Sequence, residues 1–301
     1  MSVCAPSPWF PPHPPAVAAQ LSERFPGPSS PGGPAGLPPP FTLFCFPPAG
    51  ASSLSVYQQL ALPLMDAGVL VVPIELPGRG SRMKEQRFRC LRSCAAAAVE
   101  EALGPAVLAL AMEGRPYGLL GHSMGAWLAY EAALLLRGKG LPMPSRLFVS
   151  AIRAPSLCGP HNDPDIVLPT LHDCHDEAAF WAAMDRRYGN NKDLASQGVR
   201  RMVGPILRDD FSMTETYAFD PTTAPLALPF SAFEGEEDGR TRPGDVDAWA
   251  GHTAGSFERA MTRGGHKFDA PADGPLVKAI AAAAAAATAA AANAAAAQLQ
   301  R

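Results

Sequence analysis

The sequence predicts an α/β fold: a mostly parallel sheet with helices on both faces, interrupted by a helical insertion. Three observations carry this. Between residues 41 and 277, short apolar runs alternate with segments of helical periodicity. The runs have the length and bounds of strands buried on both faces, as a helix-covered parallel sheet requires. One long interval, 156–222, holds helical patterns and no good strand.

Each element has its own signal. Residues 1–40 hold 13 of the 33 prolines, with Trp9, Phe10 and Phe25 as the main large apolar residues. Such a segment is expected to be a disordered tail, the sharper alternative being a polyproline ligand for an SH3- or WW-type groove. Phe41-Thr-Leu-Phe-Cys-Phe46 reads as the first strand, ended by Pro47-Pro48. Residues 52–66 carry Val56, Leu60 and Leu64 at helical spacing and end near Gly68. Val69–Ile74 is the second strand, 89–103 an Ala-rich helix, and Tyr117–Leu120 the third strand. Met124–Arg137 is a helix with Gly138 at its stop, followed by a fourth strand, Arg146–Ser150. The insertion 156–222 divides into helical stretches at about 176–188, 193–207 and 209–217, and is expected to cover the strand ends as a lid. Leu226–Phe233 and Phe257–Met261 complete the strands.

Residues 279–297 are nearly all Ala, broken by Ile280, Thr288 and Asn293, and predict a helix that frays toward Arg301. Its length would just span a bilayer. Alanine is only weakly apolar, however, and the flanks lack an aromatic belt or basic cluster, so no membrane span is expected. The division is therefore a tail over 1–40, an α/β unit over 41–277 and an Ala-rich end over 278–301.

Composition narrows the function. The chain has 301 residues, 47% hydrophobic and 18% charged, with a formal net charge of -3. That balance argues against nucleic acid as a partner. None of the six cysteines forms a CxxC pair, so free thiols are expected rather than a metal or redox motif. Prolines interrupt the N-terminus before any apolar stretch forms, which disfavours a secretory leader and points to the cytoplasm. A plastid or mitochondrial leader stays open, since the segment is poor in acid but also poor in arginine. With no long amphipathic stripe beyond the core, a monomer is expected.

Gly121-His-Ser-Met-Gly125 carries the chemistry. It follows an apolar strand and opens a long helix, the context of a nucleophile elbow. A serine on so tight a turn throws its hydroxyl outward. Residues two before and two after then crowd each other, so both are glycine. Ser123 needs a base, and in this arrangement the chain order is Ser, acid, His. Of seven histidines, His266 follows Gly264-Gly265 just after the last strand, where a base belongs. The acid should follow the strand before, in Glu234-Gly-Glu-Glu-Asp-Gly239. Asp238 is the best candidate, with Glu236 and Glu237 close rivals and Asp245 further off. Two N–H donors must hold the oxyanion. Met124, after the nucleophile, is one. The other comes from Pro47-Pro-Ala-Gly50, where proline cannot donate, leaving Ala49 or Gly50, of which Ala49 is chosen.

Several segments then occur in a telling order: Phe44-Cys-Phe-Pro-Pro-Ala-Gly50, Glu75-Leu-Pro-Gly-Arg-Gly-Ser-Arg82, the elbow, Arg153-Ala-Pro155, Leu207-Arg-Asp-Asp-Phe211 with Tyr217, and Gly264-Gly-His266. Over about 41–270 the chain resembles the type II thioesterases of polyketide, nonribosomal peptide and fatty acid synthesis, which include the oleoyl-carrier-protein hydrolases. The resemblance implies an α/β-hydrolase core with a helical lid. It implies hydrolysis of acyl chains from the phosphopantetheine arm of an acyl carrier protein or carrier domain, with no cofactor and no metal. By the same comparison Ser123, Asp238 and His266 match the family's triad, and Ala49 and Met124 its oxyanion donors. Phe180, Trp181, Met184, Leu207, Phe211 and Met213 are candidate acyl-binding residues of the lid, with Leu171 beside them. A general carboxylesterase or lipase acting on oxygen esters is the alternative reading. A non-catalytic scaffold is a further one, disfavoured because all three triad members are present.

Overall fold

In the computed structural model, which describes residues 7–25, 41–164, 166–189, 191–242 and 244–299, one sheet organises the chain. Its six strands are β1 (Phe41–Phe46), β2 (Val69–Pro73), β3 (Tyr117–His122), β4 (Arg146–Ser150), β5 (Phe230–Gly235) and β6 (Phe257–Thr262). They run in the order β2-β1-β3-β4-β5-β6. Every pairing is parallel. The sheet needs cover on both faces, and β1 shows how the sequence supplies it. Phe41, Leu43 and Cys45 enter one apolar layer with helices α2 (Ser53–Met65) and α8 (Pro275–Leu299). Phe44 and Phe46 enter the other, with α3 (Leu91–Ala98), α4 (Gly104–Met112) and α5 (Met124–Gly138). Helix α5 is apolar almost all round because it is the central helix of that layer, with Trp127 and Tyr130 fully buried.

Five elements differ from the sequence expectation. Part of the proline-rich start is ordered. Residues 7–25 pack on the core, with α1 at Pro15–Arg24. Trp9 is 1% exposed, donates Nε1–H to Glu101 Oε2 at 2.8 Å, and lies under the Arg82 guanidinium at 4.1 Å. Its carbonyl accepts Glu75 N–H, and Leu21 and Phe25 cover Leu70 of the edge strand β2. A few large apolar anchors thus outweigh the composition. Residues 26–40 lie outside the described residues. The Ala-rich helix ending near 103 continues to Met112, because the ladder shifts to a π turn over Val99–Leu103 just before Pro105, which has no N–H to give.

Between β4 and β5 the insertion holds α6 (Glu177–Tyr188) and one long α7 (Gln197–Glu215) where two helices are expected. Pro205 lies inside α7 without ending it. β5 begins at Phe230, since Leu226 makes only an isolated bridge to Thr253. The Ala-rich helix starts at Pro275, and Leu276, Val277, Ile280 and Ala284 are core residues, so its opening turns belong to the main unit. Leu91–Met112 and Pro275–Gln298 are each long and apolar enough to cross a membrane, and each is packed through one face on the sheet layers.

Candidate active site

The site stands at the C-terminal ends of β3, β5 and β6. Ser123 occupies the turn from β3 into α5 with φ 52°, ψ -127°, a backbone that a non-glycine residue seldom holds. The strain is fixed by neighbours. Ser123 N–H donates to Ser150 O at 2.8 Å, and its carbonyl accepts Ala126 N–H at 2.9 Å. A Cβ on Gly121 would meet Gly125 O at 2.1 Å, and one on Gly125 would meet Phe46 O at 2.1 Å. The crowding that the sequence pattern implies is therefore present, and it extends to the neighbouring strand β1.

His266 lies beyond β6, with Nε2 3.1 Å from Ser123 Oγ and Nδ1 2.9 Å from Asp238 Oδ2. Because a carboxylate only accepts, Nδ1 carries the proton and Nε2 is free to accept from the serine hydroxyl. Burial raises the pKa of Asp238, but the His266 hydrogen bond and charge, with the Arg240 N–H, outweigh it and hold the carboxyl below its ordinary value. The rivals are placed elsewhere. Glu236 and Glu237 are exposed, and Asp245 Oδ2 accepts Arg242 N–H within its own loop. Gly235 matters through close approach: a Cβ there would sit 2.5 Å from Gly264 O, so the loops carrying Asp238 and His266 could not meet.

His122 braces His266 from behind. Its Nε2–H donates to His266 O at 2.8 Å, which leaves Nδ1 to accept from Ser150 Oγ at 3.2 Å. Burial, then the neighbouring His266, pull its pKa down to about 3, so it stays neutral. Ala49 and Met124 both line the cavity beside Ser123. Met124 is the first residue of α5, where backbone donors have no partner within the helix. Gly50 N–H is already given to Asp210 Oδ2 at 2.7 Å, whereas among the described residues Ala49 N–H has no hydrogen-bond partner.

A cavity of about 730 Å³ opens on Ser123 and His266, between the strand ends and the insertion. Of the six acyl-binding candidates, Met184, Leu207 and Phe211 line it. The other three do not. Phe180 and Trp181 are buried between α6 and α7, where Arg208 and Arg200 cover their rings. Met213 faces the main core with Tyr217. Helical phase explains the split: 207, 211 and 214 share one face of α7, and 213 lies on another, toward Tyr217 just beyond the helix end.

Sequence reasoning missed a charged wall. Arg153, Asp163, Arg187 and Glu215 line the same cavity. Arg187 pairs with Asp163 and, at 2.9 Å, with Glu215, and Arg153 lies 3.5 Å from Asp163. The Arg153 guanidinium also sits over Trp127 at 5.1 Å. Burial raises the Glu215 pKa despite the N–H groups of His172 and Leu171 and the Arg187 charge. Arg153 was legible in principle, three residues past the end of β4 on the rim where α/β sites gather.

With this geometry in hand, comparison with known proteins places the chain. The thioesterase domain family model matches residues 41–282. Thioesterase PikA5 of Streptomyces venezuelae is 34% identical over 228 residues, covering 74% of this chain and 74% of that protein. The medium-chain S-acyl fatty acid synthase thioesterase of Rattus norvegicus is 29% identical over 227 residues, 75% of this chain and 80% of that one. Among solved structures, RedJ, a thioesterase from the prodiginine pathway of Streptomyces coelicolor, superposes with a TM-score of 0.67 at 34% identity, over 88% of this chain and 99% of that one. Since the family match runs from β1 through β6 into α8, the chain belongs to the thioesterase domain family and is built on the α/β-hydrolase fold.

Proposed function

We propose that this thioesterase hydrolyses acyl chains from the phosphopantetheine arm of an acyl carrier protein or carrier domain on another chain, with Ser123 as nucleophile, His266 as base and Asp238 as its orienting acid. The observation that carries the reading is the unbroken hydrogen-bond line from Ser123 Oγ through His266 to Asp238 at the mouth of a large cavity. Relatives named for polyketide and fatty acid synthase work support the carrier-bound substrate.

His266 Nε2 takes the Ser123 proton as Oγ attacks the thioester carbonyl. Asp238 keeps the imidazole in the Nδ1–H tautomer and stabilises the imidazolium. The oxyanion rests on the Ala49 and Met124 N–H groups. His266 returns the proton to the departing pantetheine thiol. Water, deprotonated by the same nitrogen, then cleaves the acyl-serine. The insertion acts as a lid, with Met184, Leu207 and Phe211 against the acyl chain.

The test is acyl release from a series of acyl-carrier-protein and acyl-CoA thioesters. A preference for the carrier-bound form is expected, with hydrolysis falling at least ~10³-fold in Ser123→Ala. Hydrolysis that the substitution leaves unchanged, or activity on oxygen esters alone, would overturn the proposal. The chain-length profile separates broad clearance of misprimed carriers from release of a product of set length.

A further inference from the structure

The loop that carries Ala49 is gripped from two sides by carboxylates that share one arginine. On one side stands Asp210, in α7 and fully buried. Its Oδ2 accepts Gly50 N–H at 2.7 Å and Arg79 Nη1–H at 2.7 Å, and its Oδ1 accepts Arg79 Nη2–H at 2.7 Å. On the other side, Glu75 accepts Ser52 Oγ–H at 2.6 Å and Ser53 N–H at 3.2 Å. Arg79 follows β2 and its charge bears on both acids. Gly50 holds φ +76°, and a Cβ there would stand 2.5 Å from Leu207 Cδ2. Leu207 and Asp210, one turn apart, therefore press on the same glycine.

From this geometry we infer that Asp210 is a positioning residue for the oxyanion loop, and that it makes formation of the oxyanion hole conditional on the seating of α7. The inference rests on the thioesterase reading of Ser123 given above. The physical argument has three steps. The peptide joining Ala49 to Gly50 has one N–H, and Asp210 takes it, which fixes that plane and limits rotation about Ala49. The neighbouring Ala49 N–H is left beside the nucleophile. A carboxylate this buried is tolerable only with its charge met, and the two-pronged Arg79 contact meets it. Displacing α7 removes the acceptor from Gly50 and the counter-charge from Arg79 together. A lid helix so connected does more than enclose the acyl chain: it completes the donor pair that stabilises the tetrahedral intermediate.

The experiment compares wild type with Asp210→Asn, Arg79→Met and the double variant. Asparagine keeps an oxygen for Gly50 N–H but turns an amide donor on Arg79, and removing Arg79 as well restores a neutral, satisfied acceptor. Asp210→Asn should lower kcat about 10²-fold, in the range for a disturbed oxyanion donor, with KM within about 3-fold. The double variant should regain about 10-fold over Asp210→Asn. Affinity for an acyl trifluoromethyl ketone, whose adduct places an oxyanion in the hole, should fall in parallel with kcat. Affinity for a non-hydrolysable thioether analogue should hold, and hydrogen exchange at the Gly50 amide should quicken. A folded Asp210→Asn protein with wild-type kcat and ketone affinity overturns the inference. Equal loss of ketone and thioether affinity, without rescue in the double variant, also overturns it, by marking a purely structural role. If Asp210→Asn fails to fold, Arg79→Lys, which keeps charge but not the fork, must show the same kcat-only loss. If wild type neither hydrolyses thioesters nor takes a serine-directed phosphonate, the thioesterase reading falls. Gly50 exchange then decides the clamp alone: faster exchange in the variant upholds it, and unchanged exchange overturns it.

Discussion

Asp238 differs from its acidic neighbours by burial, not by type. Its N–H closes a turn onto Gly235 O, which directs the side chain inward to His266, while Glu236 and Glu237 reach solvent. That distinction is invisible in a run of acids, which is why the sequence leaves Glu236, Glu237 and Asp245 as rivals of Asp238 where the structure brings Asp238 alone to His266. Ser123 and His266 were legible because each sits in a motif whose geometry demands it. Asp210 was legible only as part of a motif, since its partners lie 131 and 160 residues away. Asp238→Asn should lower kcat by about 10³–10⁴-fold with little change in KM, because asparagine favours the wrong imidazole tautomer. Single-turnover and steady-state rates on one acyl-carrier substrate measure this. Retention of full activity would assign the orienting role to another group.

At the scale of elements, order and type were readable from periodicity, and the failures share a cause. Trp9 is one residue in a segment of prolines, and what orders it is Arg82, Glu101 and Glu75, all distant in sequence. Helix phase hid the roles of Phe180, Trp181 and Met213 in the same way: all are apolar, and only the packing of α6, α7 and the core assigns each a face. Trp9→Ala should cost about 3–5 kcal/mol of stability, as for other fully buried tryptophans, read by denaturant unfolding. A disordered start would make the change neutral. Truncation behaves oppositely at the two ends of α8. Ending the chain after Ala287 should change stability by about 1 kcal/mol or less, because the last residue packed against the core is Ala287. Ending it before Leu276 removes Leu276, Val277 and Ile280 from the core and should prevent folding at ordinary temperature, seen as loss of the cooperative melt.

For the molecule as a whole, two buried neutral histidines weaken the fold in mild acid. His122 is drawn from 6.5 to about 3, by burial and then by His266, and His252 from 6.5 to about 4 by burial. His252 accepts Ser156 N–H at Nε2 and faces Tyr130 OH at Nδ1, so protonation would break its contact. Below pH 6.5 the unfolded chain binds protons at both positions that the folded chain refuses. Stability therefore falls as pH falls through that window, by up to about 1.4 kcal/mol per pH unit for each histidine. Unfolding free energies at pH 7, 6 and 5 should show the slope, and His252→Gln should flatten it. Burial raises the pKa of Glu75 and Glu215, which works in the opposite sense, so the deciding result is the variant: a slope that His252→Gln leaves unchanged would refute the burial of that ring as a neutral group.

The parallel sheet also imposes a schedule on synthesis. Ser123, Asp238 and His266 follow β3, β5 and β6, and β6 pairs with β5 alone at one edge. As the chain leaves the ribosome, its serine is made long before its base, and the base has no support until the last strand has docked. Every shorter nascent chain carries the Ser123 elbow without His266 beside it. On the proposed triad, hydrolysis therefore begins only once the sheet is complete to its last strand.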